Sequence, residues 1–215
     1  MRPSISARLD IPGPAGVLQA IVEDVGDEAQ AFAVVCHPHP LYGGTMDNKV
    51  VVSVARALHE VSVSTVRFNF RGVGASAGSY DEGRGELADA LAVADWAQGR
   101  RPDLPLIAAG FSFGSYIALK LALVRRVRHL FMVAPPVSRF AVTELARPDC
   151  PLTVVQGDAD EVVPPAEVLA WAAGLEPAPS LHVVPGCGHF FHGKLIELKR
   201  IVEDEIRSGG RRSGA

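Results

Sequence analysis

Short runs of apolar, largely β-branched residues punctuate this chain, and several are separated by longer stretches whose apolar positions return every three or four residues. The first pattern suits strands buried on both faces, and the second suits amphipathic helices. Residues 4–11 and 17–23 predict two strands joined by Pro12-Gly13-Pro14-Ala15-Gly16, an opening hairpin. Ala31–Cys36 (AFAVVC) is a continuous apolar strand. Residues 48–60 then have helical spacing, with Val51, Val54, Ala55 and Leu58 on one face. A strand over 63–70 precedes an amphipathic helix over 86–97 carried by Leu87, Leu91, Ala94 and Trp96. A short strand over 106–109 and an apolar helix over 115–124 follow. Further strands are expected over 130–133, 152–155 and 181–184, with a helix over Pro165–Ala173 and a terminal helix from His189 to about Ile206. Strands alternating with helices predict an α/β fold. It should be a mostly parallel, twisted sheet of about eight strands with helices on both faces.

Composition narrows the class. With 215 residues, 48% apolar and 21% charged, the chain suits a single domain over 1–207. Residues 208–215 (SGGRRSGA) have no apolar side chain larger than alanine and predict a disordered tail. A formal charge of −3 supplies no field to attract nucleic acid or an anionic membrane. No apolar run approaches the roughly 20 residues of a membrane span, and residues 1–11 lack the apolar block of a signal peptide. Cys36, Cys150 and Cys187 are odd in number and lack metal-ligand spacing. Reduced, mostly buried thiols in a cytoplasmic protein are expected.

In such a sheet, chemistry belongs in loops at the carboxyl ends of the strands. Gly110-Phe111-Ser112-Phe113-Gly114 follows the strand LIAA and precedes a helix, the strand–turn–helix setting of a nucleophile elbow. Side chains at Gly110 and Gly114 would collide with the neighbouring strand and helix. Ser112 could instead cap the following helix. A serine nucleophile needs a base, and the base needs an acid to fix its tautomer. Asp158 and Asp160, in the loop after LTVV, both qualify as the acid. His189 ends the turn Pro185-Gly186-Cys187-Gly188 after LHVV and is the candidate base, whereas His37, His59, His129, His182 and His192 are expected at the surface or in local structural roles. Serine, aspartate and histidine, each after a strand and in that order, match the order this architecture uses.

From about Ile5 to Ile206 the chain resembles the α/β-hydrolase superfamily, through GFSFG, GDADEVVP and GCGHFF. The family's G-x-x-D-x-x-V-P pattern, matched onto Gly157, Asp160, Val163 and Pro164, implies Asp160 rather than Asp158 as the acid. The segments HPHPLYGGTMDNK (37–49) and RFNFRGVGAS (67–76) resemble a group of small bacterial hydrolases. Dienelactone hydrolases are more distant relatives that use cysteine where this chain has Ser112, so their substrate is not implied.

An oxyanion hole needs two backbone N–H groups, one just after the nucleophile and one from the loop after an early strand. Phe113 should supply the first. Pro38 and Pro40 have no N–H, which leaves His39 or Leu41 for the second, and the family's histidine-glycine turn favours His39. Many relatives insert a helical cap before the acid-bearing strand. Here that interval, 134–151, has eighteen residues, four of them proline, too few for a cap. An open cleft lined by Tyr42, Phe113, Val137 and Phe190 is expected. The implied activity is a serine esterase that cleaves small-molecule acyl esters without cofactor or metal. An acyltransferase, thioesterase or peptidase with the same three residues, or a non-catalytic scaffold, are the alternatives.

Overall fold

The computed structural model describes residues 5–209. Most of the expected tail, 210–215, lies outside the described residues. Strands β1 (Ile5–Gly13) and β2 (Gly16–Asp24) form the opening antiparallel hairpin. Then come β3 (Ala31–Cys36), α1 (Lys49–Glu60), β4 (Val63–Phe68) and α2 (Arg84–Arg100). The second half contains β5 (Leu106–Phe111), α3 (Phe113–Val124), β6 (His129–Val133), β7 (Leu152–Gly157), α4 (Pro165–Ala173), β8 (Ser180–Val184) and α5 (Leu195–Arg207). One eight-stranded sheet runs in the order β1-β2-β4-β3-β5-β6-β7-β8. Strands β3 to β8 are parallel, so the loops after β3, β5, β7 and β8 share one edge.

The central strands β3 to β7 are buried along their whole length, which is why they read as continuous apolar runs rather than alternating ones. On one face Val51, Val54 and Leu58 of α1 share a core with Leu198 and Val202 of α5. On the other, Ala90, Val93 and Ala97 of α2 meet Ile117 and Leu121 of α3 and Val168 of α4. Helices therefore cover both faces. Between β6 and β7 the only helical piece is a single 3-10 turn at Val142–Glu144. No cap is present there.

Two boundaries and one helix face depart notably from expectation. The terminal helix begins at Leu195 rather than His189, because Phe191 (φ 53°) and Gly193 (φ 73°) take left-handed conformations that a helix cannot include. Strand β4 stops at Phe68 because the next two amides turn away to Gln19 and to the His37 ring. Helix α2 buries Ala90, Val93, Ala94 and Ala97, while Leu87, Leu91 and Trp96 lie half-buried on its flank. That helix also buries two acids. Glu86 accepts the amides of Asp81 and Gly83, and Asp89 takes a bidentate bond from Arg71. Cys36, Cys150 and Cys187 are free and buried. Among the described residues no helix is long and apolar enough to cross a membrane.

Candidate active site

Strand β5 ends at Phe111 and α3 begins at Phe113, so Ser112 alone makes the turn, with φ 52° and ψ −123°. Its amide still donates to Val133 on the next strand (2.9 Å), which locks the turn to the sheet. The flanking glycines answer to space. A Cβ on Gly110 would stand 2.1 Å from the Gly114 oxygen, and one on Gly114 would stand 2.2 Å from the Cys36 oxygen. The Ser112 side chain caps nothing. Ser115 Oγ instead donates to the Ser112 carbonyl (2.6 Å), which leaves the Ser112 hydroxyl to its other neighbour.

That neighbour is His189. Ser112 Oγ lies 3.1 Å from His189 Nε2, although the residues are 77 positions apart. His189 Nδ1 lies 2.8 Å from Asp160 Oδ2. The other carboxylate oxygen accepts the amides of Val162 (2.9 Å) and Val163 (2.7 Å), and Gln156 Nε2 adds a bond to Oδ2 (3.1 Å). Burial works against ionisation of Asp160, but the bonds from His189 and the two amides outweigh it and hold the carboxyl below the ordinary aspartate range. Asp158 is a turn residue: its exposed carboxylate accepts the Gly186 amide (2.7 Å) and has no bond to His189. The histidine loop is pinned by Glu161, which accepts the His189 amide (3.1 Å). Neither Gln156 nor Glu161 was singled out from the sequence. Their spacing from Asp160 carries no motif, and their partners are set by how the β7 and β8 loops face each other.

The loop after β3 is built around a buried histidine. Phe70 donates its amide to His37 Nε2 (3.0 Å), so Nδ1 carries the proton and donates to the Pro38 carbonyl (2.6 Å). A trans peptide is planar, so anchoring the Pro38 carbonyl also sets the direction of the His39 N–H. Gly44 makes room for this: a Cβ there would stand 2.0 Å from the same carbonyl oxygen. The Leu41 amide donates to His39 Nδ1 (3.2 Å), which removes Leu41 from the pair of candidate donors. Among the described residues, the N–H groups of His39 and Phe113 have no acceptor. Arg67 and Asn69 hold the far end of the loop through the carbonyl and amide of Met46, at 2.9 Å each. The RFNFRG segment is thus the support of the HPHP loop.

Burial lowers the pKa of His37 to about 4 and does the same to His129, whose Nε2 bonds to Thr153 in the core. The unfolded chain takes up these protons near pH 6.5, and the folded chain only near pH 4. Stability should therefore be intact above pH 6.5 and fall toward pH 4, by roughly 3 kcal/mol per site at most. Urea unfolding at pH 7.5 and 4.5 measures this, and His129→Gln should flatten the decline. A midpoint independent of pH over that interval would contradict the assignment.

The residues meet in an open cleft of about 640 Å³. Tyr42 and Phe190 line it, as expected, together with His39, Ser112, Phe113 and His189. Val137 does not. It is buried in the core beneath the wall, because its amide folds back on Pro135 and turns the side chain inward. Its neighbours Pro136, Arg139 and Phe140 form that wall instead.

No family model matches the chain. A solved structure of an alpha-beta serine hydrolase homologue from Coxiella burnetii is 43% identical, with a TM-score of 0.90 over 93% of this chain and 97% of that one. A Xanthomonas campestris structure described as an a/b serine hydrolase without lid is 44% identical, with a TM-score of 0.90 over 97% and 96% of the two chains. The uncharacterized protein RP471 of Rickettsia prowazekii is 34% identical over 90% of this chain and 86% of its own length. With an elbow serine facing a histidine and an aspartate across an uncapped cleft, and relatives of this identity along nearly the whole chain, the protein belongs to the lidless α/β serine hydrolases.

Proposed function

We propose that this protein hydrolyses carboxylic esters through an acyl-enzyme formed on Ser112. The observation that carries the proposal is the continuous line from Ser112 Oγ to His189 (3.1 Å) and from His189 to Asp160 (2.8 Å). Ser112 attacks the ester carbonyl as its proton passes to His189 Nε2, and Asp160 stabilises the imidazolium through Nδ1–H. The amides of Phe113 and His39 hold the negative oxygen of the tetrahedral intermediate. His189 returns the proton to the leaving alcohol. Water, deprotonated by the same imidazole, then releases the acid and restores Ser112. The open cleft suits small substrates or substrates that extend into solvent.

The test is turnover of p-nitrophenyl esters of graded acyl length beside a matched thioester and anilide, with fluorophosphonate labelling of the folded protein. Ester turnover with labelling supports the proposal. Preference for the thioester or anilide reassigns the reaction, and absence of labelling reduces the chain to a binding scaffold.

The His39 assignment has its own test. Its φ of −54° is one that proline adopts, so His39→Pro deletes the N–H with little demand on the loop. The rate should fall about 10²–10³-fold. His39→Ala keeps the N–H and should lose far less. Equal losses would refute the donor role.

A further inference from the structure

The geometry points to Arg139 as an anion-recognising residue, and hence to a substrate ester that carries a carboxylate on an otherwise apolar body. The inference rests on the ester-hydrolase proposal and names its substrate class. Arg139 lines the same cleft as Ser112, and no aspartate or glutamate lines it. Among the described residues its guanidinium has no hydrogen bond or ion pair. Arg71, Arg84, Arg101 and Arg125 each hold a carboxylate at 2.8–3.2 Å. Its place in the cleft sets it apart, because an arginine left open on a cleft wall presents a planar fork suited to one external carboxylate.

The wall that carries it is anchored. The Arg139 amide donates to Pro136 (2.9 Å). The next two residues, Phe140 (φ 57°) and Ala141 (φ 52°), both sit in the left-handed region. Non-glycine residues persist there only where their surroundings over-determine them. The Phe140 ring supplies that constraint, stacked on Tyr116 at 5.4 Å and edge-on to Phe113 at 5.2 Å. The Arg139 charge also lowers the His39 pKa, after the larger effects of burial, which lowers it, and of Glu86, which raises it. Apolar contact is supplied by Phe113, Phe140, Val162, Val163 and Phe190, beside the polar Tyr42 and Asn48. No lysine or second arginine lines the cleft. The ligand class that satisfies both features is an ester with an apolar body and one carboxylate.

The carboxylate could belong to the acyl part or to the alcohol part, and two matched pairs separate these. The first pair is mono(p-nitrophenyl) glutarate against p-nitrophenyl butyrate. The second is p-carboxyphenyl butyrate against p-carbamoylphenyl butyrate. In at least one pair the anionic ester should show the higher kcat/KM. Arg139→Gln should cut that ratio about tenfold, chiefly through KM, and Arg139→Glu should cut it further, while Arg139→Lys keeps part of it. Ratios within twofold of the original protein in both Arg139→Gln and Arg139→Glu, for both pairs, would overturn the inference alone. Absence of turnover of all four esters together with absence of fluorophosphonate labelling would overturn the ester-hydrolase proposal and this inference with it.

Discussion

Ser112→Ala should lower turnover of an activated ester by about 10⁴–10⁶-fold and abolish fluorophosphonate labelling. The size follows from what the hydroxyl does in the structure. It caps no helix, and its hydrogen-bond partner is His189. Removing it deletes the proposed nucleophile and leaves the supports of the fold in place, so residual rate would come from the proposed oxyanion donors and binding alone. Stability supplies a second readout. Ser112 is held at φ 52° and ψ −123°, a conformation glycine tolerates far better than residues with a Cβ. Ser112→Gly should therefore be as inactive as Ser112→Ala and more stable by about 1 kcal/mol in urea unfolding. Labelling that survives in Ser112→Ala would place the nucleophile elsewhere. Equal stability of the two variants would show that the turn stores no strain.

Asp160→Asn should cost about 10⁴-fold in kcat, and the hydrogen bonds around it say why. One oxygen of Asp160 accepts two amides, from Val162 and Val163, so an asparagine must place its own oxygen there. Its NH₂ then faces His189 Nδ1 and the Gln156 NH₂, both donors to the native carboxylate. His189 can relieve the clash only by moving its proton from Nδ1 to Nε2. In that tautomer it cannot accept the Ser112 proton. Asp158→Asn should stay within a few fold of the original rate, since Asp158 serves the Gly186 turn. A pH–rate profile on both variants checks the claim. A larger loss in Asp158→Asn than in Asp160→Asn would reverse the assignment of the acid.

The architecture was legible because its determinants are local and repetitive. Apolar runs such as AFAVVC can be satisfied only with both faces covered, and helical spacing between them supplies the cover. The elbow was legible for a steric reason, since Gly110 and Gly114, two positions to either side of Ser112, have no space for a Cβ. The start of the last helix was not. The residues after His189 are helix-compatible by composition, and only the left-handed turn at Phe191 and Gly193 delays it to Leu195. The burial of Val137, expected in the cleft, was not legible for a similar reason. The path of the 134–140 loop is set by Phe140 packing against Tyr116 and Phe113, rings that come from a different part of the chain.

Taken alone, the order of residues determined the strand and helix alternation, the glycine-flanked serine, and the succession of serine, acid and histidine at strand ends. The first two are properties of neighbours within a few positions, and the third follows from where the strands end. The tertiary structure decided that Asp160 reaches His189 while Asp158 does not, that Leu41 is spent on His39, and that His37 anchors the peptide before His39, the candidate second donor. Those outcomes depend on where separate loops meet at the sheet edge. That meeting is set by strand register and core packing over tens of residues, whereas the spacing of residues within one loop leaves both aspartates and both amides open.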